Sequence, residues 1–543
     1  MRTRRVGTWL RSVVGGLQSS TRRVWWTSFV LVALLSGLWS LANPLYAAPD
    51  EPAHVVRAVA LAHGQVIGRT PSQAEARRLD LTDRKDYVVV RVPVVYRDAS
   101  ESACFPGHRS ITAACLRFDG PTRNTDEGTY VGRHPPAYYA LVGAVSLITP
   151  PGSVAVRLMR LIGALMTGAL VATAITALRW TAAPRLLGIG LAIAITPMVL
   201  FVSSAVNPSA PEVAASLAVW LCGLLLVWRA RERVDARLVT AVGIAGCVLA
   251  LSRQLGPLWL ALMGLTMLGV SSRTALRNLA RSGWARLWAG LVVASSLVQV
   301  GWDVIAKPLE VKRSGNAPSN IELSEILRTT IGRTFPRYRE MIGSFGWLDA
   351  PSPALTWVPW TVLIGLLVLG AVVWSSRRHI AVLLGLVAAT IFVPVAIESA
   401  TFTDAGTLTW QGRYTLPLAV GIPILAAAVL SMTGRGRQLT TPRLVLAVGA
   451  VLSGAQIIAF AQNLRRYMVG YNGDLAFWVR PEWSPPLPAL LLLAAFAAVA
   501  VAFAWWLLAV VPRGSGAADG VPLDVDSETP PRERAIATVS PKG

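Results

Sequence analysis

Two adjacent carboxylates stand out in the short sequence "PDEPAH" at residues 49–54. Asp50 and Glu51 lie between two prolines, directly after a long apolar run, and His54 follows one helical turn after Asp50. A carboxylate held at a membrane surface can act as a general base. The prolines restrict the backbone, so a rigid turn is expected. Taken alone, the two acids also fit the solvated end of a membrane helix, and His54 fits a surface residue or a helix cap.

Two isolated arginines, Arg253 and Arg413, could supply the positive charge that an anionic substrate needs. A guanidinium group donates two parallel hydrogen bonds, which suits a phosphate. Arg253 lies in "LSRQLGP", and Arg413 lies in "WQGRYTLP" beside Gln411 and Tyr414. A lone charge close to the membrane usually has a partner and marks a site. These residues are therefore candidates for substrate binding.

Further polar and aromatic residues are candidates for the same role. Each has a plainer interpretation, because proline suits the first turn of a helix, Asn-Pro suits a tight turn, and aromatic residues gather at membrane interfaces. The candidates are Arg133, His134 and Tyr138 in "GRHPPAYYAL", Asn207 in "VNPSAPEVAAS", Trp347 in "FGWLDAPSP", and the aromatic side chains of Tyr139 and Trp410.

The composition indicates a membrane protein. The chain has 543 residues, of which 53% are hydrophobic and 15% charged, whereas soluble proteins carry about 25% charged residues. The net charge of +22 would suit a nucleic-acid partner, but the arginines lie in short clusters between apolar runs. That pattern is typical of topology signals and contacts with anionic lipids, so no nucleic-acid partner is predicted.

Twelve apolar runs are long enough to span a bilayer, for which a straight helix needs about 20 residues. A thirteenth run, "PPAYYALVGAVSLI" at 135–148, is shorter, and we interpret it as an interfacial or re-entrant helix. The twelve predicted spans lie near residues 25–42, 154–178, 186–205, 210–228, 238–253, 256–271, 287–303, 357–375, 380–397, 415–432, 444–462 and 487–511.

The arginine clusters orient these spans, since short cytoplasmic loops are rich in Lys and Arg. If the short run at 135–148 does not cross the membrane, the arginine clusters between spans lie on the same side of the membrane as the basic N-terminus. We therefore predict a multi-pass plasma membrane protein with both termini cytoplasmic. The clusters lie at 179–185, 229–237, 273–286, 377–378 and 435–443.

This topology predicts three regions: a basic cytoplasmic N-terminus at 1–24, a membrane domain at 25–511, and a disordered cytoplasmic tail at 512–543. Two exoplasmic loop segments follow, at 43–153 and 304–356. The first contains "DYVVVRVPVVYRD", which is expected to form a short strand pair, and the second contains the helix-like "NIELSEILRTTIGRTF". All the polar motifs above fall on the exoplasmic face, which suggests one site there.

The four cysteines divide into two kinds. Cys104 and Cys115 both lie in the first exoplasmic segment, where an oxidising compartment permits the disulfide that we predict. Cys222 and Cys247 lie within predicted spans and are expected to pack as small apolar residues. Their spacing is not that of metal ligands.

The order of these features resembles the GT-C superfamily of membrane glycosyltransferases, which use polyprenyl-phosphate-linked sugars on the exoplasmic face. More closely, "APDEPAHVVRA", "HPPAYYAL", "VNPSAPEVAAS", "FGWLD" and "QGRYTLP" are similar to a bacterial family of predicted membrane proteins of unassigned function, itself similar to GT-C enzymes. The resemblance covers roughly residues 25 to 510, and "DEPAH" and "QGRY" are its most specific parts. In one departure, Ser209 stands where an acid is expected after "NP".

The resemblance implies an all-α, GT-C-like fold and the transfer of a sugar from a polyprenyl-phosphate donor to an envelope glycan, lipid or protein acceptor. Asp50 would be the base, because GT-C enzymes place theirs just beyond the first span. Glu51 would orient Asp50, bind the acceptor or ligate a divalent metal, and no other cofactor is implied. The expected partners are the donor, the acceptor and membrane lipids.

Two other classes stay open. A transporter or flippase of lipid-linked glycans would show internal repeats and polar residues at mid-membrane, whereas the predicted span centres are almost free of charge. A non-catalytic protein of envelope assembly would not need Asp50. The sequence therefore favours the enzyme.

Overall fold

The computed structural model describes residues 20–81, 87–307, 322–405, 410–438 and 440–511. Most of the predicted N-terminal region, the middle of the second loop segment and the tail at 512–543 lie outside the described residues. Within the described part the chain is nearly all helical, with two small two-stranded sheets.

A folded segment of short elements lies between the first two long helices. Strand β1 pairs antiparallel with β2, with Val88 opposite Thr129 and Pro93 opposite Asn124. The expected strand pair within "DYVVVRVPVVYRD" is therefore wrong in its second half, since a helix that buries Val95 and Ala99 on one face follows β1. The elements are α1 (Thr21–Ala42), α2 (Glu51–Ala62), α3 (Gln73–Arg78), β1 (Val88–Pro93), α4 (Val94–Ser102), β2 (Asn124–Thr129), α5 (Pro136–Gly143) and α6 (Ser153–Ala177), with 3-10 turns at Ala113–Cys115, Ala144–Leu147 and Leu178–Trp180.

The rest of the chain is a bundle of apolar helices with a short sheet before α16. In chain order its elements are α7 (Pro184–Ala194), α8 (Pro197–Val202), α9 (Ser209–Arg229), α10 (Ala236–Ser252), α11 (Gly256–Val270), α12 (Arg273–Arg281), α13 (Gly283–Ala306), α14 (Leu323–Gly332), α15 (Thr334–Gly343), β3 (Ser344–Phe345), β4 (Ala350–Pro351), α16 (Ala354–Trp374), α17 (Arg377–Ala405), α18 (Gly412–Ala419), α19 (Gly421–Ser431), α20 (Gly434–Gln438), α21 (Pro442–Val469) and α22 (Ala489–Trp505), which continues as a π-helix over Trp506–Val510.

Each of the twelve predicted spans corresponds to helix in the structure. Nine helical stretches in the described residues are long and apolar enough to cross a membrane, and α7, α10 and α11 are shorter apolar helices at the other three positions. The chain is thus a multi-pass, all-α membrane protein, as predicted. The nine are Thr21–Ala42, Ser153–Trp180, Ser209–Arg229, Gly283–Ala306, Ala354–Trp374, Arg377–Thr401, Gly412–Ser431, Pro442–Val469 and Ala489–Val510.

The predicted span at 186–205 is not one helix, because the chain breaks between α7 and α8 at Ile195 and Thr196. Proline disfavours helical backbone in the residue before it, and Pro197 follows the break. The free polar groups are satisfied by neighbours: Gln456 donates to the carbonyl of Ile195 at 3.0 Å, and the Thr196 hydroxyl donates to that of Met341 at 2.8 Å.

Contacts between connections divide the bundle into two faces. On one, which we call the arginine-rich face, Arg229 donates to the carbonyl of Trp180 at 2.6 Å and Arg378 to that of Ser271 at 2.6 Å. On the other, the Asp50 face, Asn207 after α8 donates to the carbonyl of Pro49 after α1 at 3.4 Å, and Arg413 after α17 contacts Asp50. These contacts are those expected of helices that alternate in direction, as the arginine pattern predicts.

The short run at 135–148 forms α5 and stays on the Asp50 face. Before it, the carbonyl of His134 accepts a hydrogen bond from Arg57 of α2 at 2.9 Å. After it, the amide of Gly152 donates to the hydroxyl of Tyr96 in α4 at 3.4 Å. Both ends of α5 thus contact the same folded segment, and the helix does not cross the bundle.

A disulfide joins Cys104 to Cys115 in that segment. The loop it closes is anchored to the end of α21, because the ring of Phe105 packs on Tyr467 with centroids 5.6 Å apart. Arg466 also donates to the carbonyl of Phe105 at 2.8 Å. The disulfide loop therefore packs over part of the Asp50 face.

The two faces should differ in access from outside the cell. In a background with Cys222→Ala and Cys247→Ala, we expect Asp474→Cys to react with a membrane-impermeant maleimide on intact cells. We expect Thr274→Cys, exposed on the arginine-rich face, to react only after permeabilisation. Reaction in the opposite order would contradict the predicted orientation.

Candidate active site

Glu51 is the centre of a fully buried ion pair. Its Oε1 accepts from Arg160 Nε at 2.7 Å and from the amide of Val206 at 2.9 Å. Its Oε2 accepts from Arg160 Nη2 at 2.6 Å and from the amide of Tyr46 at 2.9 Å. Both side chains of the pair are 0% exposed. Each oxygen already has two donors, so the geometry gives Glu51 a structural position and leaves no oxygen for an acceptor or a metal.

Asp50, one residue earlier, faces the other way. Its backbone is left-handed, with φ +66° and ψ 0°, a conformation that Asp tolerates better than most residues. Its Oδ1 accepts from the hydroxyl of Tyr130 at 2.6 Å, and its Oδ2 accepts from Arg413 Nη2 at 2.5 Å. The side chain is 21% exposed, so the carboxylate remains within reach of a substrate.

The charge state of Asp50 follows from these neighbours. Burial raises the pKa of the carboxyl, but the positive charge of Arg413 and the hydrogen bond from Tyr130 outweigh it, and the net pKa lies below the usual 3.8. Asp50 is therefore a carboxylate at neutral pH. It can accept a proton, and its basicity increases whenever the charge of Arg413 is shared with another anion.

Arg413 has hydrogen-bonding capacity that the protein does not use. Its Nη2 donates to Asp50 and to the hydroxyl of Tyr414 at 3.2 Å. Its Nε and Nη1 are buried and have no partner among the described residues. Buried donors are nearly always paired, and a guanidinium pairs best with a carboxylate or phosphate. The two free donors therefore mark a place for an anion beside Asp50.

Two buried carboxylates hold the backbone that carries Arg413. Glu340 of α15 accepts from the amide of Gly412 at 2.6 Å, and Glu398 of α17 accepts from the amide of Trp410 at 2.9 Å. A Cβ at Gly412 would meet a backbone oxygen of α15 at 2.3 Å. Only glycine allows the chain to approach the backbone of α15 this closely. This contact fixes the start of α18 and the direction of Arg413.

Arg253 and Arg413 contact the same aromatic ring. The guanidinium carbons of Arg253 and Arg413 are 4.5 and 5.1 Å from the ring centre of Tyr414. Arg253 Nη1 donates to the hydroxyl of Ser209 at 2.6 Å, and its Nε lies 3.9 Å from Glu212 Oε2. Ser209 thus contacts Arg253. An acid was expected at position 209, after "NP", and Glu212 supplies an acid one turn later.

Two histidines, His54 and His134, lie close to Asp50. The amide of His54 donates to the carbonyl of Asp50 at 3.0 Å. His54 Nδ1 lies 2.8 Å from the Tyr139 hydroxyl, which lies 3.5 Å from His134 Nδ1. Burial lowers the pKa of His54 to about 3 and that of His134 well below its usual value. Both rings are therefore neutral at neutral pH and support the turn at Asp50.

The other predicted residues support the site from its edges. Asn207 donates to the carbonyl of Pro49 at 3.4 Å, and the Trp347 indole donates to that of Tyr46 at 3.2 Å. Tyr138 is buried against Tyr139, and the carbonyl of Arg133 accepts from Trp302 at 2.9 Å. Gln411 has a buried Oε1 with no partner among the described residues.

Among the residues of the site that the sequence does not single out are Tyr130, Arg160 and Glu212. Arg160 and Glu212 are charges within apolar helices, and such charges commonly mark pairs or sites, so a signal was present for both. Tyr130 precedes the "GRHPP" motif and carries no local pattern that distinguishes it from other tyrosines. Its contact with Asp50 depends on the sheet that ends at Thr129.

A divalent metal does not fit the carboxylates that the chain offers here. Both oxygens of Glu51 are already bound, and Asp50 is shared between Tyr130 and Arg413. The described residues contain no group of three or more His, Cys, Asp or Glu side chains that could hold a metal ion.

The fold and site define a multi-pass membrane protein with a charged site at one end of its helices. By sequence, the chain belongs to the family described as "Predicted membrane protein (DUF2142)", whose profile matches residues 33–422, which confirms the resemblance found in the motifs. No curated protein matches the chain. It is similar to the crystal structure of ArnT from Cupriavidus metallidurans bound to undecaprenyl phosphate, at 14% identity and a TM-score of 0.37, over 90% of this chain and 77% of that chain.

Removal of the Glu51 charge should destabilise the protein. Glu51→Gln leaves Arg160 charged and uncompensated in the core, which typically costs about 3–5 kcal/mol. We expect a lower unfolding temperature for the purified protein in detergent. Glu101→Gln, in the same segment with a side chain 70% exposed, is the control and should match wild type. Equal unfolding temperatures for Glu51→Gln and wild type would contradict the structural position of Glu51.

Proposed function

We propose that this protein is a membrane glycosyltransferase that transfers a sugar from a polyprenyl-phosphate-linked donor to an envelope glycan, lipid or protein acceptor on the exoplasmic face. The observation that carries the proposal is the pair of Asp50 and Arg413. A single ion pair contains one carboxylate within reach of a substrate and two guanidinium donors that have no partner in the described part of the chain. A base and a phosphate ligand are the two groups that such a transfer needs.

In the proposed reaction, the acceptor hydroxyl loses its proton to Asp50 while its oxygen bonds to the anomeric carbon of the donor sugar. The bond from that carbon to the phosphate oxygen breaks, and the polyprenyl phosphate leaves with the electron pair. Arg413 binds the phosphate through Nε and Nη1 and stabilises the charge that develops on it. When the donor is bound, the positive charge of Arg413 is shared between the phosphate and Asp50. Arg413 then stabilises the Asp50 carboxylate less, so Asp50 becomes a stronger base.

An apolar cavity supports a lipid donor. The cavity has a volume of about 610 Å³ and lies between α15, α16, α17 and the α18–α19 region. Thr415, two residues after Arg413, lines it, as do Tyr338 and Met341 of the helix that holds Gly412. The Arg337 side chain, paired with Glu398, is its charged component. A lipid chain would fit this cavity, whose lining includes Thr415, close to Arg413 along the chain.

A transporter of lipid-linked glycans is the second candidate, and the helix break at Ile195 and Thr196 favours it, since broken helices occur in transporters. The polar groups at that break are bound to other helices, and the charged site lies at the ends of helices. These features favour the transferase.

Replacement of Asp50 should remove activity without removing the fold. Asp50→Asn is nearly isosteric but cannot accept the proton, so we expect sugar transfer to fall at least about a hundredfold. The assay is transfer from polyprenyl-phosphate sugars in membranes, with a deletion strain as background. Asp474→Asn, an exposed acid on the same face, is the control. Unchanged transfer by Asp50→Asn at equal protein level would exclude Asp50 as the base.

The kcat/KM for transfer, which reports the protein before the donor binds, should not depend on pH in the physiological range. Asp50 has a lowered pKa, so the active carboxylate is present above that pKa and is lost only as the pH falls through it, below 3.8. His54, with a pKa of about 3, stays neutral over the same range. We expect a flat profile between about pH 5 and pH 8. An acid limb with an apparent pKa near about 6 would show that another group is the base.

A further inference from the structure

Glu212 is a buried carboxylate to which the reaction above assigns no role. It lies in the first turn of α9, is 2% exposed, and its Oε2 has no hydrogen-bond partner among the described residues. Arg253 Nε is 3.9 Å from that oxygen, which is too far for a hydrogen bond. The indole of Trp259 lies against the carboxylate, but its Nε1 is also unpaired by ordinary hydrogen-bond geometry.

More unpaired polar atoms occur on neighbouring residues. Gln254 follows Arg253 and has a buried Nε2 without a hydrogen-bond partner in the described part of the chain. Gln411 has a buried Oε1 that also lacks a partner there. Together with Glu212 and Trp259, these residues supply two acceptors and two donors. Buried polar groups are rarely left unpaired, so a ligand with both donors and acceptors would complete them.

Aromatic rings connect this group to the phosphate position. Trp259 lies 6.5 Å from Trp410, and Trp410 lies 5.7 Å from Tyr414, measured between ring centroids. Tyr414 contacts both Arg253 and Arg413. The indole of Trp259, which lies against Glu212, is therefore connected to the proposed anion position through the rings of Trp410 and Tyr414.

We propose that Glu212, Trp259, Gln254 and Gln411 form the subsite for the sugar of the donor, and that this sugar is neutral and rich in hydroxyl groups. A phosphate accepts hydrogen bonds, so the carboxylate of Glu212 would repel it, whereas a hydroxyl can donate to Glu212 and accept from Trp259 or Gln254. Aromatic rings beside such groups can cover the apolar face of a sugar. This inference rests on the proposed function and specifies the substrate of the same site.

The test is binding of two kinds of short-chain lipid, a plain phosphate and glycosylated phosphates, to the full-length protein in detergent, measured by microscale thermophoresis. The probes are citronellyl phosphate and citronellyl phosphate that carries mannose, glucose, galactose or arabinose. For wild type we expect at least one glycosylated lipid to bind more tightly than the plain phosphate. Glu212→Gln should weaken that lipid at least about tenfold and leave the plain phosphate unchanged.

Two further variants keep the result interpretable. Trp259→Phe removes the indole N–H together with part of the ring system and should also reduce the preference for the glycosylated lipid, which provides a second route if Glu212→Gln does not fold. Glu101→Gln is exposed on the same face and should bind both probes as wild type does.

The outcomes separate the inference from the proposed function. If wild type binds neither kind of lipid, the proposed function fails. If wild type binds them but Glu212→Gln and Trp259→Phe keep the preference, or weaken both probes equally, the sugar subsite is overturned and the lipid-phosphate site stands. If wild type binds no glycosylated lipid more tightly than the plain phosphate, the subsite is likewise overturned.

Discussion

The buried ion pair between Glu51 and Arg160 is the interaction on which the rest of the site depends. Arg160 also donates to the carbonyls of Ser40, Asn43 and Pro44 at the end of α1. A charge buried without its partner is strongly unfavourable, so the end of α1, the start of α2 and one side of α6 are held in a single arrangement. Asp50 directly precedes Glu51, and its left-handed backbone directs its carboxylate away from that core.

Two adjacent acids thus have different surroundings. Both oxygens of Glu51 have two donors each, whereas Asp50 pairs with an arginine whose Nε and Nη1 have no partner among the described residues. Carboxylates and guanidinium groups held rigidly before a substrate arrives stabilise charge without reorganisation. Because Glu340 and Glu398 fix the backbone near Arg413 from α15 and α17, the helices that line the apolar cavity also position the group proposed to bind the phosphate.

Much of this arrangement could be predicted from the sequence, and the reasons for success and failure are physical. Apolar runs are local features of the sequence, and they predicted the positions of the helices. The sequence also singled out Asp50, Arg253 and Arg413, because their charges lie outside the expected clusters. The structure brings Asp50 and Arg413 into contact and places Arg253 on the same tyrosine ring as Arg413. The partner of Glu51 lies 109 positions away and that of β1 lies in Asn124–Thr129, and no local pattern specifies such contacts. Glu51 was therefore expected at the substrate, and Tyr130 and Glu212 were missed.

The central claim is that the ion pair of Asp50 and Arg413 is a phosphate site and a base in one unit. Its most direct test is an electron cryomicroscopy structure of the protein in nanodiscs with added undecaprenyl phosphate. The account predicts phosphate density within hydrogen-bonding distance of Arg413 Nε and Nη1, with Asp50 still bound to Nη2 and Tyr130. Phosphate density bound elsewhere, with Arg413 Nε and Nη1 still unpartnered, would contradict it.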